Sequence, residues 1–153
     1  MKLAIVVLAG FLAACTTIAP AVTVTSRQLN ENPATYDGDD VSVRGMLVLG
    51  TNGRSIYQST ERFDQWVKEF SGGDVDFAAY RDDCLTLAGP GADALVENQY
   101  VLHKRTVTLR GAFVADFYSR DTVDLQKCAN QSALVVDMAS ARSVIRSAGA
   151  NVK

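Results

Sequence analysis

The pentad VSVRG at residues 41–45 returns, almost unchanged, as VTLRG at residues 107–111. Each copy sits in a stretch that alternates apolar and polar residues, the period of a strand with one buried face. In the first stretch Val41, Val43, Gly45, Leu47 and Leu49 share a face, and Ser42, Arg44, Met46 and Val48 share the other. In the second, Val107, Leu109, Gly111, Phe113, Ala115 and Phe117 share a face. Both glycines thus fall mid-strand on the apolar side, where a side chain would ordinarily fill the core. Glycine weakens a strand, and its usual reason there is a bend, a bulge or the close approach of another backbone. A small barrel needs such coiling, because one strand has to serve two sheets as the cylinder closes. The repeat therefore reads as two walls of one closure rather than a duplicated domain. Chance likeness between two V-x-V strands is the alternative.

The rest of the chain supplies the other walls. SRQLNEN at residues 26–32 forms a short helix that Ser26 can cap and that stops before Pro33. NPATYDGDD then reads as turns. Strands are predicted at residues 40–49, 54–59, 84–89 and 106–117, and in SALVVDMA from Ser132. Asn52-Gly53 suits a tight hairpin between the first two. At residues 60–70 the period changes: Phe63, Trp66, Val67 and Phe70 form one helical stripe, which Gly72-Gly73 can end. A weaker helix fits residues 92–98, and the tail beyond Ala141 fits strand or helix. A meander of three strands, a helical connection and two more strands resembles the OB-fold, a five-stranded Greek-key barrel. The fold class expected is mainly β, with a short N-terminal helix and a helical insertion between strands two and three. In that topology the first and fourth strands pair.

The motif Asn32, Pro33, Tyr36, Gly38, followed by Val41, Val43 and Gly45, resembles that of small exported bacterial OB-fold proteins of uncharacterised function. The resemblance spans residues 26–144. It implies the fold and not an activity, because OB barrels host unrelated functions. The aromatic insertion at residues 60–83 departs from the pattern.

The first residues read as an address. Lys2 is followed by an uncharged run at residues 3–14, too short to span a bilayer, for which a helix needs about 20 residues. A charged start and a short apolar region make a secretory signal peptide. It ends Leu12-Ala13-Ala14-Cys15, which resembles the bacterial lipobox, so residues 1–14 read as a leader and Cys15 as a diacylated first residue. Two acyl chains suffice for lasting membrane attachment. A plain signal peptide cut near Ala13 or Ala19 is the alternative. TTIAPAVTVT at residues 16–25 reads as a tether, with a Val-Thr alternation that also suits a stray edge strand, and residues 26–153 as the domain. Thr16, rather than Asp, after the lipidated cysteine favours the periplasmic face of the outer membrane. With Cys15 lipidated, Cys84 and Cys128 remain as a pair in an oxidising compartment, where a disulfide is the default. Two buried free thiols are the alternative.

Few residues suggest chemistry. The one histidine, His103, lies in YVLHKRTV without a visible nucleophile or carboxylate partner, and no G-x-S-x-G surrounds a serine. Carboxylates cluster at Asp37, Asp39 and Asp40, at Asp74 and Asp76, and at Asp82 and Asp83, in the manner of solvated turns or a weak cation site. No cofactor and no metal are expected, since a structural zinc wants four N/S ligands. A formal net charge of −2 argues against nucleic acid. A ligand face, if the barrel has one, would draw on Arg44, Arg54, Tyr57, Trp66 and Tyr80, with an envelope protein or a glycan as partner. Trp66 also reads as core. The expected role is a non-enzymatic, membrane-anchored binding or assembly module. An envelope enzyme or oligosaccharide-binding accessory using Trp66 and Tyr80 is the alternative.

Overall fold

The computed structural model describes residues 22–50, 53–73, 75–118, 128 and 130–149; the expected leader, Cys15, most of the expected tether and Asn52 of the hairpin lie outside them. A two-residue strand, β1 (Thr23–Val24), precedes helices α1 (Ser26–Glu31) and α2 (Pro33–Tyr36). The hairpin β2 (Asp40–Gly50) and β3 (Gly53–Tyr57) follows, then α3 (Thr60–Gly72), α4 (Phe77–Tyr80) and a 3-10 turn (Arg81–Asp83). After β4 (Cys84–Ala88) come α5 (Gly89–Glu97), α6 (Gln99–Leu102), β5 (Thr106–Val114), β6 (Ala133–Val136) and α7 (Met138–Ser147).

Five strands close into a barrel in the order β2-β3-β4-β6-β5, shut by the pairing of β5 with β2. That closing seam is made by the two pentads themselves. They run antiparallel in matched register, Val41 opposite Gly111, Val43 opposite Leu109 and Gly45 opposite Val107. Each glycine marks the place where its strand changes partner. β2 pairs with β5 up to Met46 and with β3 from Met46 onward. β5 pairs with β2 as far as Ala112 and with β6 from Gly111 onward. A Cβ on Gly45 would stand within 3.0 Å of the Tyr57 carbonyl oxygen, and one on Gly111 within 3.0 Å of the Val135 carbonyl oxygen. A third chain crosses too closely for any side chain, which is the close approach that mid-strand glycine implies.

The interior follows the alternation: Val41, Val43, Leu47, Leu49, Leu109 and Phe113 join Ile56, Leu85, Leu87, Leu134 and Val136 in one core. Helices α5 and α7 cover it with Ala92, Leu95, Ala141 and Ile145. The outer face of β2 is less simple. Ser42 and Arg44 are at least partly open, but Met46 and Val48 are buried in a second cluster with Tyr57, Phe63, Cys84 and Cys128. Helix α3 lies over the far half of the hairpin, so that half is buried on both faces.

Several boundaries differ from the sequence expectation for local reasons. The cap of α1 is Thr25, in a capping box with Gln28, because Ser26 turns inward and its Oγ donates to the Asp83 carbonyl (2.9 Å). Of the two readings of the Val-Thr alternation, tether or stray edge strand, Thr23 and Val24 take the second and pair in parallel with Ser42 and Val43. β5 stops at Val114 because the Ala115 N–H donates to Asp37 Oδ1 (2.9 Å) instead of to a neighbouring strand. The last strand ends at Val136, where Asp137 caps α7 by accepting from Ala139 N–H (3.0 Å), and the tail is helix.

Candidate functional site

A cleft of ≈ 430 Å³ opens where the ends of α1, the 3-10 turn, β5 and the approach to β6 meet. It is lined by Asn30, Pro33, Arg81, Asp82, Ala115 and the consecutive residues Asn130, Gln131 and Ser132. Two of its lining amides are pinned to one buried backbone group, the carbonyl of Cys84. Asn30 Nδ2 donates to it (2.9 Å), as does Asn130 Nδ2. The same two amides reach the 3-10 turn, Asn30 to the Asp82 carbonyl (3.2 Å) and Asn130 to the Arg81 carbonyl (3.1 Å). Ser132 Oγ donates to Asn30 Oδ1 (2.5 Å), tying the two walls together. Cys84 is disulfide-bonded to Cys128, with Cα atoms 5.7 Å apart, so the residue that holds the two amides is itself anchored covalently.

Asn130 is only 7 % exposed, yet its Oδ1 has no hydrogen-bond partner, a state shared among the described residues only with Thr86 Oγ1. Buried polar atoms are nearly always paired, so an orphan acceptor in a cleft wall is unusual. At the rim Arg81 and Asp82 face each other at 3.5 Å. Phe117 N and Tyr118 N both donate to the Gln131 carbonyl (2.9 and 3.1 Å), and their two rings are in edge contact at 5.2 Å. The lining thus offers amides, a hydroxyl, one cation and one anion.

The residues singled out in the sequence are placed elsewhere, and most are already engaged. Tyr57 is 1 % exposed and packs edge-on against Phe63. Trp66 is half-buried, stacked between Phe63 and Phe70. Tyr80 is 4 % exposed beneath the Arg62 guanidinium, 4.7 Å from its ring. Burial, then a hydrogen bond to the Glu69 carboxylate, pushes the Tyr80 hydroxyl up to about 12, and the same bond holds Glu69 below its usual value. Arg54 pairs with Asp93 at the surface, and Arg44 is exposed on the outer face of β2. Tyr57, Trp66 and Tyr80 share the covering layer of α3 and α4; Arg44 and Arg54 do not join them. His103 is exposed, and its Nδ1 accepts from Leu49 N–H (3.1 Å), securing the end of β2.

The described carboxylates of the acidic clusters have structural duties, Asp39 and the cleft-lining Asp82 apart. Asp40 accepts two bonds from Arg110, Asp76 caps α4 and Asp37 ends β5. Asp83 is fully buried between Arg27 (2.5 Å) and Arg62 (2.6 Å), and it raises the Arg27 pKa through its hydrogen bond and its charge. Asp74 lies outside the described residues. Among the described residues no cluster of three His, Cys, Asp or Glu could hold a metal, and no helix is long and apolar enough to cross a membrane.

Sequence reasoning missed the cleft because its parts are scattered over residues 30–132. The only local signal was the run of polar amides Asn130-Gln131-Ser132 just before an apolar strand. Compared with protein-family models, curated proteins and solved structures, the chain matches none.

Proposed function

We propose that this protein is an exported, non-enzymatic lipoprotein, held by diacylated Cys15 to the periplasmic face of the outer membrane. Its OB-like Greek-key barrel acts as a binding or assembly module. The address rests on Leu12-Ala13-Ala14-Cys15 after a short apolar run. Oxidation of Cys84 and Cys128 fits an exported chain, since disulfides persist in oxidising compartments. Strand order β2-β3-β4-β6-β5, with β4 and β6 parallel, supports the OB-like reading.

The observation that carries the binding role is the cleft, a concavity within the usual range of ligand sites, about 300–1,000 Å³, two of whose lining amides are held by the disulfide-anchored Cys84 carbonyl. Its lining holds no serine–histidine or cysteine–histidine pair. The alternative, an envelope enzyme or sugar-binding accessory working through Trp66 and Tyr80, retains support only at the outer end of the aromatic row, where Phe70 and Phe77 are exposed.

Two experiments test this reading. Labelled palmitate is incorporated into the wild-type protein and not into Cys15→Ser if the anchor is right; an unlabelled wild-type protein would refute it. A photo-crosslinking residue at Gln131 in the native envelope captures a partner or ligand if the cleft is used, while one at exposed Tyr100 does not.

A further inference from the structure

We infer that the outer end of α3 and α4 docks on a lipid bilayer, with Val67, Phe70 and Phe77 entering the boundary between headgroups and acyl chains. The choice of a bilayer rests on the reading of Cys15 as a lipid anchor. A row of rings leaves the protein at this end. Tyr57 and Phe63 are buried and Trp66 is half-buried, whereas Phe70 and Phe77, in edge contact at 6.4 Å, are 51 % and 48 % exposed. Val67, 39 % exposed, stands one turn before Phe70 on the same side of α3. Helix α3 packs on the hairpin through Phe63 and Trp66, but from Val67 to Gly73 every residue except half-buried Glu69 is exposed. Contiguous exposed apolar groups of this kind mark a surface that meets another apolar phase or partner. The neighbouring acids already have partners within the protein: Asp64 with Lys104, Glu69 with the Tyr80 hydroxyl and Gln65, and Asp76 with the start of α4. Lys68 is exposed at the rim, where a cation suits a lipid phosphate.

Chain length and patch size decide between a bilayer and a second copy. Val22, the first described residue, follows Cys15 by seven peptide units, a reach of at most about 25 Å. A domain of this length is roughly 36 Å across, so an anchored Cys15 cannot hold it clear of the lipid by its own diameter. The entry of the chain and the patch also lie on touching elements. Ser26 Oγ donates to the Asp83 carbonyl (2.9 Å), and Phe77 precedes Asp83 by one turn of α4 and the 3-10 turn. Those helical rises put Phe77 no more than about 20 Å from Ser26. The patch is therefore within reach of the bilayer that would hold Cys15. Two half-exposed rings offer on the order of 200 Å² of apolar surface. A stable interface with a second copy takes about 800 Å² from each partner. A bilayer needs no matching shape, and partial burial of a few rings beside an acyl anchor is enough to orient the barrel.

The chain carries its own reporter. Trp66 is its single tryptophan and stacks on Phe70 at 5.2 Å, so tryptophan emission reads the patch. The full chain, purified from membranes and checked for acyl chains by intact mass, is mixed with vesicles of phosphatidylethanolamine and a minor share of phosphatidylglycerol. Some of the lipid is replaced by phosphatidylcholine brominated at the headgroup end of its acyl chains, a short-range quencher. Trp66 is expected to lose roughly half its emission, as suits a ring beside a face seated about 5–10 Å into the boundary. Phe77→Asp, which leaves Phe70 stacked on Trp66, is expected to abolish that loss, and Phe77→Leu to preserve it. Tyr100→Asp, at an exposed position on α6, is expected to change nothing. Each variant is referred to its own emission on unbrominated vesicles, and thermal unfolding verifies its fold. Acylated protein that floats with the vesicles unquenched overturns the docking and leaves the anchor standing. Protein without acyl chains that is nonetheless quenched keeps the docking and sinks the anchor; neither acylation nor quenching sinks both. Quenching indifferent to Phe77→Asp overturns the docking. So does a dimer in detergent, seen by sedimentation, that Phe77→Asp dissociates, or a photo-crosslinker at Val67 that captures one envelope protein in place of lipid.

Discussion

Inside the barrel Val43, Leu47, Ile56, Leu85, Leu109 and Phe113 are fully buried, and none of these side chains needs a polar partner. In the covering layer between α1, α3 and the 3-10 turn, an equally buried side chain, Asp83, is a carboxylate shared by two guanidiniums. The interior is organised by area removed from water and by backbone spacing at two glycines. The cover is organised by one covalent bond, one ion triad and a row of rings from Tyr57 through Phe63, Trp66 and Phe70 to Phe77. Apolar packing has no preferred partner, so it tolerates exchange of like for like. A buried charge has few acceptable partners, and losing one leaves the rest uncompensated. The cleft lies on the cover's side of this division: Arg81 and Asp82 belong to the same 3-10 turn as Asp83.

The sharpest way to break the barrel is at its seam. Gly45→Ala or Gly111→Ala sets a methyl against a main-chain carbonyl that cannot swing aside as a side chain could. Each is expected to cost about 4 kcal/mol or more, beyond ordinary overpacking and a large share of a domain's total stability. Arg44→Ala, one residue away and exposed, is expected to stay within about 0.5 kcal/mol. Urea unfolding followed by circular dichroism checks both. Equal, small effects at positions 44 and 45 would show that the strands are not pressed together there.

That contrast also explains what could be read in advance. The alternation around Val41 to Leu49 and Val107 to Phe113 repeats every two residues, and the glycines interrupt it on the buried face. Strand identity, facing and the closing pair are all local or self-referential signals. The burial of Met46 and Val48 was not legible, because it depends on where α3 comes to rest. Nor were the roles of Asp83 and Asn130. Asp83 reads as one more turn carboxylate until Arg27 and Arg62 converge on it from two helices. The helical tail was half visible: Asp137 is a good cap, and Ala141 and Ile145 fall four apart, but the preceding ALVV obscured the switch. Tyr57 and Tyr80 looked available to a ligand because exposure of an aromatic on a strand or turn depends on its cover.

The next largest effect tests the covalent part of the cover. The double variant Cys84→Ser, Cys128→Ser is expected to lose about 4 kcal/mol, the chain-entropy value for a loop of this size. The loss should fall unevenly. Hydrogen exchange is expected to quicken first at the 3-10 turn and at Asn130, while the paired amides of β2 and β5 keep most of their protection. Uniform loss of protection would mean that barrel and cover unfold as one unit. Asp83→Asn comes next at about 3 kcal/mol, because it keeps the shape and leaves two guanidiniums without their shared anion. A cost under about 1 kcal/mol, the range of surface pairs, would show the triad to be solvated.

The mildest probe is pH, read at Tyr80. Its hydroxyl is raised from 10.0 to about 12 by burial and by the hydrogen bond to Glu69. Between those values the folded chain keeps a proton that the unfolded chain has lost, so the folded state binds more protons. Stability is then unaffected by this group below pH 10 and declines as pH rises through the window toward 12. Tyr80→Phe removes that dependence, and a plot of urea midpoint against pH flattens between pH 10 and 11.5. The same variant deletes the bond that lowers the Glu69 pKa, so its carboxyl, followed by NMR, moves up toward 4.5. With that bond present, Glu69 contributes stability above its unfolded value that fades as pH falls through the lower folded one; without it, this acid-side dependence shrinks. Because Tyr80 touches the cover and not the barrel core, exchange at the closing pair of β2 and β5 should be insensitive to the change. A seam that loosened with it would mean the two regions are coupled through α4 and the turn that follows it.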